Sequence, residues 1–331
     1  MIFSAISYYT YKFFSRARLK KLIIQNAIYS QYGLVKFIRE LPFSGKIILF
    51  FGNARLIHYG DQLFFLPIVL LLKRLNFQIV IAQPGKLSNL WESYGFTVMN
   101  EIHWNFGNAL WLSKDDMLPH IIHYVIKQDG HFVGFNFGKM KESQPISKLI
   151  ASELIKIIKQ LDINFHFENE ELEIFFKTEF HSEININDDI NKVAKWSSEL
   201  DEFSTKNFLL FSDFLSSGFL QAIWRRKYLY NMAKELKSKY ALIYIGSQKE
   251  KSLRKPSFIN LDLRGETNPT DLFYLFNHPS VKGYIGFDTF PLHVATLSGK
   301  FLYVVKKSKV VDEKKFIPFI PNCQNLIKVI K

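Results

Sequence analysis

Continuous apolar runs alternate with amphipathic segments along most of the chain, which is typical of a layered α/β protein. The run Lys46–Phe51 ends at Gly52 and has the composition of a strand buried on both faces. Further strands are predicted at 77–82, 96–99 and 132–135, and helices at 61–75, 87–94, 113–128 and 147–161. The alternation predicts a parallel sheet covered on both faces by helices.

The alternation stops in an acidic stretch near 162–205 and restarts after it. Strands are then predicted at 208–212, 241–246, 258–263, 283–287 and 301–305, and helices at 221–239, 269–278 and 290–298. Two successive α/β halves predict two facing Rossmann-like domains with parallel sheets, and 331 residues suit two domains. The predicted boundaries are an extension at 1–45, a first domain at 46–178, an acidic linker at 179–206 and a second domain at 207–331. A ligand is expected in the cleft, at the carboxyl ends of the strands.

Charged residues are unevenly distributed in this chain, whose net charge is +13. Residues 1–46 contain eight basic residues and one acidic residue, whereas residues 160–205 contain twelve acidic and three basic residues. Such segregation favours a polyanionic partner, such as an anionic membrane surface or a phosphorylated acceptor. Nucleic acid is not predicted, because there is no zinc-finger spacing, no aromatic RNA-binding signature and no basic heptad region.

The first 45 residues combine basic and aromatic side chains, and Tyr11–Glu40 has helical spacing. Two interpretations stay open: this segment binds the headgroup region of an anionic bilayer, or its apolar stripe packs on the protein or on another subunit. No apolar run approaches the ~20 residues of a membrane-spanning helix, and the layout of a signal peptide is missing. We expect a cytoplasmic protein, with peripheral attachment to the inner membrane as a hypothesis. The oligomeric state is not indicated.

The inventory of reactive groups narrows the classes of function. The only cysteine, Cys323, excludes an internal disulfide and a structural zinc site. His120 and His123 share a predicted helix, but spacing supplies no third metal ligand. Walker-type and Gly-x-Ser-x-Gly patterns are absent, so P-loop nucleotide hydrolases and α/β-hydrolases are not predicted.

A first candidate site follows the first predicted strand, where Tyr59-Gly60-Asp61 leads into Leu66-Pro67. Gly60 permits a tight turn, and Asp61 is placed at the start of a helix near the carboxyl end of a strand. Asp61 then has two interpretations: it is a helix N-cap, or it is a general base toward a hydroxyl.

A second candidate site lies after the strand that contains Tyr284. Asp288 and Thr289 are placed at the cap of the next helix, Pro291 in its first turn, and His293 on the same face as Thr289. Backbone N–H groups at a helix N-terminus bind phosphate, and a histidine there adds a charge-assisted bond. A capped helix with a packed histidine is the alternative interpretation.

Together these two segments resemble a known family. Gly60-Asp61 with Pro67 resembles the first-strand motif of the lipopolysaccharide heptosyltransferases, glycosyltransferase family nine. Residues Asp288–Ala295 resemble that family's Asp-[Ser/Thr]-Gly-x-x-His-x-[Ala/Thr] motif, and residues 261–265 resemble the stretch that often precedes it. The resemblance covers about residues 46–310 and implies a GT-B fold, an inverting transfer and no catalytic metal. It implies that Asp61 is the base and that Asp288, Thr289 and His293 bind the donor.

The chain departs from the family pattern at two places. The small glycine of the second motif is Phe290 here, and a lysine that often precedes the family's tryptophan corresponds to Ala222 or its neighbours. Arg225 and Arg226 are therefore candidate phosphate-binding residues, with solvated surface arginines as the alternative. The expected function is transfer of a sugar, with a heptose as one candidate, from a nucleoside-diphosphate donor to a cell-surface glycolipid or glycan precursor, without a cofactor. The alternatives are an inactive binding or scaffolding protein of the same fold and another nucleotide-sugar enzyme.

Overall fold

The chain divides into two compact units, Met1–Phe175 and Phe176–Lys331. The computed structural model describes residues 13–22, 29–31, 33–52, 58–101, 106–137, 140, 146–179, 196, 200, 207–213, 219–252, 254–287, 289–305 and 327–330. In the described part of each unit, the strands form one mainly parallel sheet. The α/β class with two parallel sheets is therefore confirmed.

The sheet of the first unit has seven strands in the order β1-β2-β7-β6-β3-β4-β5. Strands β3 to β7 are parallel to one another, whereas β2 runs antiparallel to β7 and β1 antiparallel to β2. The strands are β1 (Tyr29–Gln31), β2 (Leu34–Phe37), β3 (Lys46–Phe50), β4 (Gln78–Ala82), β5 (Thr97–Met99), β6 (Leu110–Lys114) and β7 (His131–Phe135).

Helices accompany this sheet wherever an amphipathic or apolar segment follows a strand. They are a helix over 13–22, Tyr59–Leu63, Leu66–Arg74, Ser88–Ser93, Leu118–Lys127, Ile146–Leu161 and Asn169–Ile174. Pro67 occupies the second position of the helix Leu66–Arg74, where its missing N–H costs no intrahelical hydrogen bond. A new helix therefore begins here, separate from Tyr59–Leu63. The single helix predicted over 61–75 is therefore two helices in the structure.

The sheet of the second unit has six strands, all parallel, in the order β10-β9-β8-β11-β12-β13. The strands are β8 (Phe208–Ser212), β9 (Ala241–Tyr244), β10 (Leu261–Asp262), β11 (Val281–Gly286), β12 (Phe301–Val305) and β13 (Ile327–Ile330). The helices are Phe219–Leu236, Gln248–Lys251, Pro269–Asn277 and Phe290–Leu297. Every described residue of β8 and β9 is buried, which explains their uninterrupted apolar sequences.

Each sheet has one place where the strand order reverses. The chain continues from β3 to β4 on one side, while β6 lies on the other side of β3. In the second unit, β9 and β11 flank β8 in the same way. Parallel sheets bind ligands outside the carboxyl ends of such strand pairs.

Several sequence-based expectations about individual elements are wrong. Residues 110–114 form the strand β6, so the helix expected from Ser113 begins only at Leu118. Residues 34–37 of the expected helical segment form β2, which pairs with β7 as part of the first sheet. The predicted linker at 179–206 lies almost entirely outside the described residues.

The end of β11 approaches its neighbours too closely for any side chain, which makes Gly286 a test of the packing there. A Cβ atom at Gly286 would lie 2.5 Å from the carbonyl oxygen of Ser212 and closer still to the Tyr284 hydroxyl. We expect Gly286→Ala to reduce the free energy of unfolding by about 3 kcal/mol, the upper end of the cost of overpacking, because the clash includes a backbone atom. Urea denaturation measures this change.

The control is Gly45→Ala, because a Cβ at Gly45 meets nothing within 4 Å although its φ is +73°. Backbone strain alone then acts at Gly45, and it is expected to cost about 1 kcal/mol. Equal losses in the two variants would contradict the proposed close packing at Gly286.

Candidate functional site

Asp61 lies in the short helix Tyr59–Leu63 and does not cap it, since His58 occupies the N-cap position. Its side chain contacts Lys114 instead, with 2.6 Å between Asp61 Oδ2 and Lys114 Nζ. The two side chains are 23% and 13% exposed. A partly buried ion pair of this kind is fixed in geometry yet open on one side, which suits proton transfer to or from a bound group.

Lys114 reaches Asp61 because it is the last residue of β6, the strand that adjoins β3 at the reversal of strand order. The hydroxyl of the fully buried Ser113 donates to the carbonyl oxygen of Phe50 at 2.6 Å and joins the carboxyl ends of these two strands. The Lys114 ammonium also lies 5.4 Å from the centre of the Phe137 ring. Sheet order therefore brings together two charges that are 53 residues apart.

The backbone around Asp61 is held by the next residue, Gln62, whose side chain is fully buried. Its Nε2 donates to the carbonyl oxygen of Pro84 at 3.1 Å, and its Oε1 accepts from Trp91 Nε1 at 3.4 Å. These bonds attach the helix Tyr59–Leu63 to the loop after β4 and to the helix Ser88–Ser93. They fix the helix that presents Asp61.

A second polar pair continues the same edge of the sheet. Asn136, which follows β7, donates from Nδ2 to Asp115 Oδ2 at 2.7 Å. Burial, followed by the negative charge of Asp116, raises the pKa of Asp115. The carboxyl ends of β3, β6 and β7 thus carry Asp61, Lys114, Asp115 and Asn136, groups that can bind hydroxyls.

In the second unit, the equivalent place at the end of β8 is occupied by Asp213, which is 3% exposed. Its Oδ2 accepts from the Tyr230 hydroxyl at 2.6 Å, and its Oδ1 accepts from the Tyr244 hydroxyl. Arg226 Nε donates to the Asp213 carbonyl oxygen at 3.3 Å and lies 3.5 Å from Oδ2. The buried charge is thereby compensated by two hydroxyls and a guanidinium.

The same network extends to Arg264, whose guanidinium lies 4.1 Å from the centre of the Tyr244 ring. Arg264 also pairs with Asp262 at 2.7 Å and donates from Nη1 to the carbonyl oxygen of Glu250 at 2.6 Å. Burial raises the pKa of Tyr244, and the nearby Asp213 carboxylate raises it further. Burial and the bond to Asp213 also raise the pKa of Tyr230.

The predicted donor-binding residues occupy the start of the helix Phe290–Leu297. Thr289 is at the N-cap position without a capping bond, and its Oγ1 lies 3.1 Å from the Tyr284 hydroxyl. His293 is buried in the following turn. Pro291 has no N–H, and the N–H of Leu292 donates to the Thr289 carbonyl oxygen. Asp288 lies outside the described residues.

The two candidate phosphate-binding arginines differ in their surroundings. Arg225 is 6% exposed, so the alternative of a solvated surface arginine is wrong for this residue. Arg226 is half-buried and bonded to Asp213, on the helix Phe219–Leu236. Arg226 is therefore held at the carboxyl edge of the second sheet, where a parallel sheet binds its ligand.

Sequence reasoning missed Lys114 and the group Asp213, Tyr230 and Tyr244. The sequence pattern places Lys114 in a predicted helix, although the run before it, Leu110 to Leu112, is the apolar signal of a buried strand. No local pattern links Asp213 with tyrosines 17 and 31 residues away. Within the described residues, no group of three His, Cys, Asp or Glu side chains is arranged to hold a metal ion.

Comparison with known proteins identifies the fold. No protein-family model matches the chain, and no curated protein matches its sequence. A glycosyl transferase family 9 protein from Veillonella parvula DSM 2008 is similar in structure, with a TM-score of 0.54 at 12% identity over 89% of this chain and 88% of that one. The ADP-heptose lps heptosyltransferase II of E. coli gives 0.50 at 14% identity over 86% and 90%. At these identities the likeness establishes the two-sheet GT-B fold, and the predicted resemblance is confirmed at that level.

The Asp213 network makes a prediction about stability at alkaline pH. Because the pKa of Tyr244 is raised in the folded state, its contribution to stability is complete below its ordinary pKa of 10.0 and is lost as the pH rises above that value. Above pH 10 the unfolded protein releases this proton first. The free energy of unfolding should therefore fall less steeply in Tyr244→Phe than in the unsubstituted protein, by up to about 1.4 kcal/mol per pH unit.

Urea denaturation at several pH values between 8 and about 11 measures the two slopes. Tyr228→Phe is the matched control, since Tyr228 lies on the same helix as Tyr230 and is exposed. We expect that variant to keep the original slope. A Tyr244→Phe protein with an unchanged slope would show that Asp213 does not hold this hydroxyl.

Proposed function

We propose that the chain is an inverting glycosyltransferase that moves a sugar from a nucleoside-diphosphate donor to a hydroxyl of a cell-surface glycolipid or glycan precursor. The observation that carries this proposal is the Asp61–Lys114 pair at the reversal of strand order in the first unit. The GT-B fold supports it, because the pair lies at the edge where such sheets bind ligands. A heptose is a candidate sugar because the similar E. coli protein is a heptosyltransferase.

In the proposed step, Asp61 removes the proton of the acceptor hydroxyl while its oxygen attacks the anomeric carbon of the donor. A new carbon–oxygen bond forms on one face, and the bond to the diphosphate breaks on the other, which inverts the configuration. The nucleoside diphosphate leaves with the electron pair. Lys114 is proposed as a positioning residue, because its bond to Oδ2 fixes the carboxylate and leaves Oδ1 for the acceptor.

The groups proposed for donor binding belong to the second unit. The helix Phe290–Leu297 directs its N-terminus toward the carboxyl edge of the sheet, and Thr289 and His293 lie at that end. Asp288 is proposed with them on the sequence alone. Arg226, and Arg225 beside it, would supply positive charge to the leaving diphosphate, a task that in other transferases a metal ion performs. No cofactor enters this scheme.

The rival proposal is a binding or scaffolding protein that has the fold without the activity. Phe290, which replaces a glycine of the family motif, favours this rival because its side chain narrows the approach to the backbone. A thermal-shift screen with nucleotide sugars separates the two. A ligand at 100 times its dissociation constant stabilises the folded state by about 2.7 kcal/mol. If none of the nucleotide sugars shifts the unfolding midpoint, the result supports the scaffolding protein. We further propose that the protein acts in the cytoplasm.

The general base is tested by Asp61→Asn. We expect turnover to fall about 100-fold or more, the usual effect of losing an acid–base group, while donor affinity and the unfolding midpoint stay nearly unchanged. Stability should hold because Asp61 does not cap its helix and the Asn amide oxygen can still accept a hydrogen bond from Lys114. Turnover is measured with the nucleotide sugar that the thermal-shift screen identifies, and a variant as fast as the original protein would exclude Asp61 as the base.

The positioning role of Lys114 is tested by a double-mutant cycle. Lys114→Met is expected to lower kcat about 10-fold or more with little change in KM, but to have almost no further effect in the Asp61→Asn protein. Lys156→Met is the matched control, since Lys156 is exposed and its ion pair with Glu153 lies within one helix of the same unit. Additive losses in the double variant would mean that Lys114 acts independently of Asp61.

Donor binding is tested by His293→Ala. The affinity for the nucleotide sugar should fall about 10-fold, which corresponds to one charge-assisted hydrogen bond of about 1.4 kcal/mol. Isothermal titration calorimetry measures the affinity. Thr296→Ser is the control, because it alters packing on the same helix three residues farther from the N-terminus. Unchanged affinity in the His293 variant would remove this helix end from the donor site.

A further inference from the structure

One face of the first unit exposes large apolar side chains beside a run of positive charge. The helix over 13–22 buries Ser15 and Leu19, four residues apart, so only a narrow stripe of it packs on the protein. Phe13 and Phe14 remain 71% and 65% exposed. Two adjacent aromatic side chains that are exposed to solvent on a helix indicate a surface that binds a partner.

The same helix carries a uniform positive charge. Arg16, Arg18, Lys20 and Lys21 are all exposed, and residues 13–22 contain no acidic residue. A helix that only packed on the body of the protein would gain nothing from four like charges, which repel one another at three- and four-residue spacing. The charge therefore indicates an anionic partner for the side of the helix that faces solvent.

A neighbouring helix extends this surface. Burial, and then the positive charge of Arg18, lower the pKa of His120, which places Arg18 near the helix Leu118–Lys127. Ile126, near the other end of that helix, is 43% exposed, and its carbonyl oxygen accepts from Arg39 Nη1 at 3.1 Å. Next to Arg39, Ile38 is 39% exposed. The helix Leu118–Lys127 and residues 38–39 thus add exposed aliphatic and basic side chains to the same unit.

We propose that this surface, defined by Phe13, Phe14, Arg16, Arg18, Lys20 and Lys21 and named the docking face, binds a bilayer of anionic phospholipids. The aromatic rings enter the boundary between headgroups and acyl chains, and the four basic groups contact the headgroup phosphates. Each basic group adds to the attraction while it lies within a Debye length of the lipid surface. This proposal is independent of the proposed sugar transfer.

The apolar part of the surface favours a bilayer over single-stranded nucleic acid, which also binds aromatic and basic residues. Base stacking needs an open aromatic face. Phe13 and Phe14 instead meet edge to face, at 79° and 5.9 Å between ring centres, so the two rings do not present parallel faces on which successive bases could stack. Exposed aliphatic side chains such as Ile126 and Ile38 offer no stacking plane but are compatible with acyl chains.

The test is flotation of the full chain with two kinds of vesicle, one of phosphatidylcholine alone and one with phosphatidylglycerol added. We expect binding to the anionic vesicles at 0.05 M salt, with at least a 10-fold weaker partition at 0.5 M salt, because the Debye length shortens. Phe13→Ser with Phe14→Ser should weaken binding at least 10-fold at both salt concentrations. Lys20→Gln with Lys21→Gln should weaken it mainly at low salt.

Two control variants make the same changes elsewhere. Ile163→Ser removes an apolar side chain that is 86% exposed in the same unit, and Lys234→Gln with Lys237→Gln removes two exposed lysines of the second unit. Both should bind like the original protein. The proposal is overturned if the full chain ignores anionic vesicles at low salt, if the controls weaken binding as much as the docking-face variants, or if a single-stranded oligonucleotide competes the protein off the vesicles.

Discussion

The position of the polar groups in each unit depends on one constraint of parallel sheets. Where the next strand along the chain pairs on one side of a given strand and a later strand pairs on its other side, the loops after these strands leave toward opposite faces of the sheet. An opening then forms at the carboxyl ends of the given strand and the later one. In the first unit this opening lies between β3 and β6, and in the second between β8 and β11. The bond from Ser113 to the Phe50 carbonyl oxygen joins the ends of the two strands at the first opening. The side chains that follow these strands therefore meet at fixed positions without any contribution from sequence proximity.

The two openings are filled in physically different ways. Asp61 and Lys114 are partly exposed, so water or a hydroxyl can reach the carboxylate without first breaking the ion pair. Asp213 is almost fully buried and accepts from two tyrosines, so a ligand could reach its carboxylate only by breaking several hydrogen bonds. The first arrangement suits a base, whereas the second suits an anchor that holds Arg226 and Tyr244 in place. The proposed transfer assigns the proton acceptor to the first arrangement and the rigid charged site to the second.

The parts of this structure that the sequence predicts are those governed by local patterns. Apolar runs buried on both faces predict β3, β4, β8 and β12, and Pro67 and Pro291 mark helix starts. Ser113-Lys114-Asp115-Asp116 looks like a capped helix start with acids in its first turn, but these residues end a strand and enter a short turn before Leu118. The sequence predicts a helix start here because the residue types that cap helices also occur at the ends of strands. Lys114 is for this reason missing from the predicted site.

Pairings across the sheet could not be predicted, since they depend on strand order. The bonds of Asp213 span 13 to 31 residues, and only the parallel alignment of β8 with β9 makes Tyr244 a neighbour. The strand at residues 34–37 is also not predicted, because their spacing suits a helix. Gly33, with φ of +83°, permits the turn that joins β1 to β2. A residue without a Cβ adopts this backbone conformation at little cost, so a single glycine outweighed the helical spacing of its neighbours.

The departure at Phe290 acquires a physical meaning within the proposed function. Pro291 supplies no N–H, and Leu292 uses its own to bond Thr289, so this helix end offers few backbone donors to a diphosphate. A half-buried Phe290 narrows the approach further. Charge on the leaving group must then be balanced chiefly by side chains, and Arg226 is already fixed at the same edge of the sheet by its bonds to Asp213. Under the proposed function, Arg226, whose orientation is set by the buried Asp213 carboxylate, would compensate for a weak backbone site.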